Sequence, residues 1–182
     1  ILLVIVGTLP LFAVLPFKDR IEGLSDNLYV VAAALILTGF LLFFSDRVRK
    51  GRKKERSARM TDALIVGISQ AFATCPGLSR SGTTITTGCL VGFERKFAVR
   101  FSFILSIPAV LGANILSIKD ALDAGVNWGE LPVYLVGVLV AAVSGYACIR
   151  LLKMIANRGR FGWFAYYCWA VGLLTLILKF TR

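Results

Sequence analysis

One short segment, CPGLSRSGTT at residues 75–84, concentrates the polar chemistry of this chain. Arg80 stands among Ser79, Ser81, Thr83 and Thr84, with Gly77 and Gly82 on either side, and the nearest acids in the sequence are Asp62 and Glu94. A guanidinium is a planar fork of donors that matches the oxygens of a phosphate. The hydroxyls add further donors, and the glycines let backbone approach closely. A helix starting near Gly82 would turn its free N–H groups and the positive end of its dipole toward the same point. This is chemistry for holding an anion. An arginine near mid-membrane costs roughly 2.5–3.5 kcal/mol on the insertion scale, so an anionic ligand, or a carboxylate from elsewhere, must complete the site. The bland alternative is a structural ion pair or a helix-end contact, and the segment offers no acid for a local pair. The Gly-x4-Gly-Lys loop of nucleotide-binding proteins is absent. These residues alone do not separate a phosphatase from an anion transporter with a broken helix.

The surrounding sequence is that of a membrane. The 182 residues are 57% hydrophobic with a mean hydropathy of +0.77, above the roughly 45–50% apolar content of soluble domains. Charges come in clusters between long apolar runs, which predicts a polytopic helical bundle, and strand-like alternation is absent. The net charge of +11 is placed accordingly: eight Lys and Arg fall in residues 46–59, directly after an apolar span. That position reads as a topology signal and a contact to anionic headgroups, with no nucleic-acid partner. The four cysteines stand singly in apolar segments without a CxxC pair, and read as small buried residues. Histidine is absent, which excludes any His base, nucleophile or metal ligand from these residues. The chain opens on Ile1 inside an apolar run, without a basic n-region or a cleavage site. It reads as an N-terminally truncated fragment that begins within a helix.

The elements that would position Arg80 follow from hydropathy. Residues 1–16 read as a truncated helix, and 28–44, 97–118, 131–152 and 163–180 as spans near the ~20 residues that cross hydrocarbon. Pro108 should kink its span, and Trp128 and Trp163 mark span ends. Residues 61–92 differ. They read as two half-helices, 61–74 and 82–92, around a PGLSRSG turn, with Pro76 and Gly77 stopping the first and Ser79 or Ser81 capping the second. The basic loops 46–59, 94–100 and 157–162 are placed inside by the positive-inside rule, and 18–26 and 119–130 outside. Both ends of 61–92 then lie on one side, so the segment is predicted to be a re-entrant hairpin whose tip lies near mid-membrane. The fold class is all-α: a transmembrane bundle forming one integral membrane domain over 1–182. Residues 1–45 would be the last two helices of a first repeat, 46–60 a basic cytoplasmic loop, 61–92 the hairpin, and 97–180 three further helices of an inverted second repeat. Phe101, Phe103, Tyr166 and Trp169 read as packing or lipid-facing groups, and Asn114 as an interhelical hydrogen-bonding group.

The run GISQAFATCPGLSRSGTTITTG, followed by RFSFILSIPAVLGAN, resembles the undecaprenyl-diphosphate phosphatase family, also called the bacitracin-resistance protein family. PG-x-SRSG-x-T is that family's second signature. The resemblance covers essentially the whole chain by span order and is sharpest over residues 70–108. It implies an inner-membrane hydrolase that converts undecaprenyl diphosphate to undecaprenyl phosphate and inorganic phosphate. That reaction recycles the carrier for peptidoglycan synthesis and gives bacitracin resistance. The resemblance also implies an inverted-repeat fold with two hairpins meeting at a site open to the periplasm or outer face. Ser79, Arg80 and Thr84 fall on the catalytic second motif; Gln70, Gly77, Ser81, Gly82 and Thr83 are carried over as substrate-binding. A divalent cation, magnesium or calcium, is implied as cofactor. The first signature, with its glutamates, serine pair and histidine, is not in these residues. The metal ligands, nucleophile and base are therefore expected upstream of Ile1, and the 182 residues by themselves are expected to be inactive. A polyprenyl diphosphate lipid is the expected partner, with a homodimer also open. The alternative is a transporter or flippase of an anionic lipid or phosphate, and a third class is a membrane scaffold in which Arg80 is dispensable.

Overall fold

The computed structural model describes residues 1–48, 51–125, 129, 131–157 and 162–180. All elements named in it are helical, in the order α1 (Leu2–Phe12), α2 (Lys18–Gly23), α3 (Leu28–Ser45), α4 (Met60–Phe72), α5 (Arg80–Leu90), α6 (Arg95–Ala124), α7 (Leu131–Asn157) and α8 (Gly162–Phe180). Four of them, α3, α6, α7 and α8, are long and apolar enough to cross a membrane. The N-terminal pair adds a fifth if it is counted as one span, although it bends by 75° between 2–17 and 20–26. The single truncated helix expected over 1–16 is therefore shorter: α1 carries Pro10 inside it and ends at Phe12, where a 3-10 turn at Leu15–Phe17 leads into the bend.

Close helix approach explains much of the packing. The α1 and α4 backbones meet at Gly7 and Gly67, where a Cβ on Gly67 would lie 2.2 Å from the Gly7 carbonyl oxygen. The most extensive pairing joins α3 to α8. Gly39 makes room there for Trp169, which donates to the Ile36 carbonyl at 3.1 Å and packs at a tilt against the rings of Phe40 and Phe43. Phe93, Phe97 and Phe101 form an aromatic row that seats the start of α6, so Phe101 and Trp169 are packing groups, as expected. Asn114 is not an interhelical group: it is exposed and donates to Val110 one turn back in its own helix. The helix assignment is continuous through Pro108. Only the first turns of α6 are buried, and none of the described side chains of α7 is.

The loops sort to two ends. Lys53 donates its N–H to Gly92 and its ammonium to both oxygens of Asp62, drawing both feet of the α4–α5 pair to the basic loop. Asp46 accepts from Arg95 and, at 2.7 Å, from the Gly162 N–H, so the starts of α6 and α8 join that same end. At the other end Lys18 pairs with Asp120 at 3.3 Å. The loops predicted inside thus gather at one end and those predicted outside meet at the other. Trp128, Arg158 and Arg160 lie outside the described residues.

Burial sets the Asp62 carboxyl against two opposing effects. Desolvation by itself would raise its pKa, but the Lys53 ammonium and the Arg59 N–H hold it below the usual value. Asp62 sits in the first turn of α4, where its charge also favours the helix dipole.

Candidate functional site

α4 stops at Phe72 and α5 starts at Arg80, so residues 73–79 form the tip of a helical hairpin. The second half-helix begins two residues earlier than the sequence suggested, and the choice between caps is decided: Ser79 is the N-cap, while Ser81 lies inside the first turn. Gly77 has φ +90°, the left-handed region that glycine tolerates without cost. A Cβ there would meet the Val31 carbonyl oxygen at 2.7 Å, and one at Gly82 would meet Leu42 and Ser79 at 2.9–3.0 Å. Both glycines therefore serve to seat the tip against α3. A residue missed in the sequence pins it there. The hydroxyl of Thr38, buried on α3, donates to the Gly77 carbonyl at 3.1 Å and accepts from the Ser79 N–H at 3.0 Å. Thr38 stands near the middle of α3, which spans Leu28–Ser45.

Hydrogen bonding divides the polar side chains at the tip into committed and free donors. The Ser79 oxygen accepts from the Gly82 N–H at 3.2 Å, leaving the Ser79 proton to donate elsewhere. Thr83 donates to the Ser79 carbonyl and Thr84 to the Arg80 carbonyl, each at 2.9 Å. Thr84 also pairs with Ser102 of α6, a buried contact that the sequence did not single out. A hydroxyl has one proton, so Thr83 has the Ser79 carbonyl to spend its own on, and Thr84 has either a carbonyl of the preceding turn or Ser102. They shape the helix start rather than face outward. The Ser81 hydroxyl has no partner among the described residues, and neither do the N–H groups of Arg80 and Ser81, the first residues of α5. Arg80 itself is half-buried and makes no ion pair or hydrogen bond among the described residues. One cation, two hydroxyls and two amides thus stand uncommitted at one helix start, where the dipole adds its positive end.

The acids do not compete for Arg80. Asp62 is held by Lys53, and Glu94 lies 3.8 Å from Lys54, both at the far feet of the hairpin. Among the described residues no group of three His, Cys, Asp or Glu could hold a metal ion, so the residues present do not fit the implied divalent cation. The four thiols are free, with Cys75 at the tip half-buried and Cys89 and Cys168 buried. Gln70, in the last turn of α4, is 0% exposed, and neither its amide nitrogen nor its oxygen is hydrogen-bonded.

Beside the tip opens an apolar cavity of about 640 Å³ between the N-terminal bend and the end of α4. Pro10, Phe17 and Phe72 line it, Arg20 is its one cation, and Thr74 and Cys75 bring it up to the hairpin turn. The hairpin tip and an apolar groove are therefore neighbours.

Comparison with known proteins shows the family. The family model for the bacitracin resistance protein BacA matches residues 1–174. An undecaprenyl-diphosphatase of Methanothermobacter thermautotrophicus is 46% identical over 179 residues, covering 96% of this chain and 97% of that relative. One from Halothermothrix orenii is 39% identical over 97% of this chain but 69% of its own length, and one from Syntrophotalea carbinolica is 43% identical over 93% and 64%. The first of these relatives is thus scarcely longer than the present chain, while the other two are half as long again. With the SRSG tip on α5 and four to five candidate membrane spans around it, the chain belongs to the bacitracin resistance protein BacA family.

Proposed function

We propose that this protein hydrolyses undecaprenyl diphosphate to undecaprenyl phosphate and inorganic phosphate. The observation that carries the reading is Arg80 at the start of α5, without an ion pair or hydrogen bond among the described residues and flanked by the Ser79 and Ser81 hydroxyls. In the reaction water supplies an oxygen to the terminal phosphorus, and the bond from that phosphorus to the bridging oxygen breaks. The Arg80 fork and the two free N–H groups would bear on the terminal phosphate, where negative charge redistributes in the transition state. Ser79 and Ser81 would orient its oxygens, and Thr84, tied to Ser102, would hold the helix start in place. The apolar groove beside Thr74 and Cys75 suits the first units of a prenyl chain.

The finer architecture belongs to the same proposal. The α4–α5 pair would enter and leave the membrane on the inner side, with its tip near mid-depth. Support comes from the gathering of its feet at the basic loop and from its tip packing on Thr38, halfway along α3. The donors stand at the tip, at the opposite end of the hairpin from its feet, which favours a site open to the outer face. The pairing of α3 with α8, the last helices before and after the hairpin unit, supports an inverted repeat. A divalent-cation requirement belongs to the same reading and is tested by chelation. A homodimer is likewise proposed, to be read by the mass of the purified protein in detergent.

The test is phosphate release from a long-chain isoprenyl diphosphate in detergent. It uses the protein at the length its cell makes it, alongside the 182 residues by themselves, with Arg80→Ala and a chelator as controls. A loss of about 10³-fold in Arg80→Ala is expected for removal of a charge-stabilising donor, together with loss under chelation. Release that ignores Arg80→Ala would overturn the assignment of the tip. A folded protein that binds the diphosphate without releasing phosphate would favour the transporter.

A further inference from the structure

The groove of about 640 Å³ beside the hairpin tip joins two parts of the fold. Thr74 and Cys75 bring it to the tip, and Arg20 and Leu24 bring it to the bend that follows α1. The wall between them is apolar, with Val14 on one side and Phe72 on the other. The bend lies at the end of the bundle away from the basic loop, because Lys18 pairs there with Asp120. The size and lining are those of a small-molecule site, in which apolar walls take up the body of a ligand and a few polar groups read its head.

Arg20 is the group placed to do that reading. α2 carries two basic residues, Lys18 and Arg20. Lys18 is spent on Glu22 at 3.8 Å and on Asp120 at 3.3 Å. Arg20 is exposed, lines the groove, and makes no ion pair or hydrogen bond among the described residues. A guanidinium on a long apolar stem can lie along an apolar wall while its fork stays at headgroup level. One fork matches two oxygens of one phosphate. The tip, by contrast, gathers a cation, two hydroxyls and two amides, a set large enough for a diphosphate. The smaller donor set at the other end of the groove matches a smaller head. A phosphate monoester carries about −1.5 to −2 charges at neutral pH, so it offers a lone arginine more than a phosphodiester or a carboxylate does.

Resting on the phosphatase reading of the tip, we infer that Arg20 and the groove form a product site for a polyprenyl monophosphate. The phosphate lies on the Arg20 fork, and the first units of the chain run along the groove toward Thr74 and Cys75. A substrate whose head is at Arg80 runs its chain through the same groove in the opposite sense, so the two lipids exclude one another. Retained product therefore blocks the next substrate, and the monophosphate is a competitive inhibitor that acts through Arg20.

The test places the full protein in phosphatidylcholine vesicles, with Cys89, Cys148 and Cys168 replaced by alanine so that Cys75 reports on the groove. The rate at which a membrane-permeant maleimide labels Cys75 is measured with a fifteen-carbon isoprenyl monophosphate, with the matching alcohol, and in vesicles containing phosphatidylglycerol. The monophosphate should slow labelling about 10-fold. The alcohol should do so only at a concentration about 10- to 100-fold higher, the worth of a charge-assisted hydrogen bond. Arg20→Gln should erase that difference, Arg20→Lys should restore part of it, and Arg80→Ala should leave it in place. Independently, the monophosphate should inhibit phosphate release by the protein with its cysteines intact, with an inhibition constant about 10-fold higher in Arg20→Gln. Equal protection by monophosphate and alcohol would overturn the inference, as would protection or inhibition that survives Arg20→Gln unchanged. Protection lost in Arg80→Ala would put the head at the tip and overturn it too. Arg20-dependent protection by phosphatidylglycerol, without added monophosphate, would give the groove to bulk lipid instead. A protein that releases no phosphate yet shows Arg20-dependent protection by the monophosphate would refute the phosphatase reading and the product role, and leave the lipid monophosphate site standing.

Discussion

Replacing Thr38 by valine should disable the site from a helix that carries none of its donors. Among the described residues, the Thr38 hydroxyl is the side-chain link between α3 and the hairpin tip that serves two backbone groups at once, the Gly77 carbonyl and the Ser79 N–H. Thr38→Val keeps the shape and the β-branch and removes only that oxygen. Both backbone groups, half-buried at the tip, are then left without that partner, and a fully buried orphan costs roughly 1–3 kcal/mol. Allowing for partial relaxation, the loss is about 2–4 kcal/mol. For a chain of this size that corresponds to a fall in Tm on the order of 10 °C. The functional effect should be larger than the stability effect suggests. Ser79 caps α5, so releasing its N–H lets the helix start drift, and a 1 Å misplacement of catalytic groups can lower a rate by roughly 10²-fold. Thr38→Ser restores the oxygen and should recover most of both. The assay is phosphate release from the isoprenyl diphosphate at a temperature where both variants are folded, beside thermal unfolding followed by tryptophan fluorescence. A Thr38→Val protein with unchanged Tm and unchanged turnover would refute the claim that α3 positions the tip.

Two further outcomes are expected. Gly77→Ala combines a left-handed φ of +90° with a Cβ 2.7 Å from the Val31 carbonyl oxygen, so it should cost more than the ~1–2 kcal/mol of the φ alone; the yield of folded protein and its Tm read this directly. The Asp62 carboxyl is held below its ordinary 3.8 in the folded state, so its stabilising contribution is present above that value and is lost as pH falls through the depressed one. Below about pH 4 the Tm should therefore decline with acid, and Asp62→Asn should lower Tm at neutral pH while flattening that decline, as a series of melting curves from pH 3 to 7 would register.

Several features were legible from the residues because they rest on local chemistry. Pro76 and Gly77 cannot continue a helix, so the break between α4 and α5 was readable where it occurs. The placing of loops at two ends followed from the lysine and arginine bias, since a charged loop stays on the side where it meets anionic headgroups. The candidate anion site was readable because Arg80, its neighbouring serines and the helix start are consecutive in the chain. Even so, local reading set the helix start two residues late, and it could not see that Thr83 and Thr84 find acceptors one turn back in α5. A threonine on a helix can return its proton to the carbonyl one turn back, and nothing in the sequence says which way it will point.

What the sequence by itself determined is the all-helical membrane character, the break at the tip, the residues gathered there and the family they belong to. What only the tertiary structure decided is how that tip is held and which groups remain free. Thr38 and Ser102 are 41 and 18 residues from the partners they hold. They look like ordinary hydroxyls in apolar helices until the helices pack. Asp46 joins three helix ends across 49 and 116 residues of chain, a role no spacing announces. The orphaned amide of Gln70 is likewise a property of packing: a glutamine in a sequence always has water as a partner, and it loses that partner only when neighbouring helices close over it. Local preference can choose helices and turns, but satisfaction of a buried polar group is decided by what lies across from it, and only the assembled bundle supplies that.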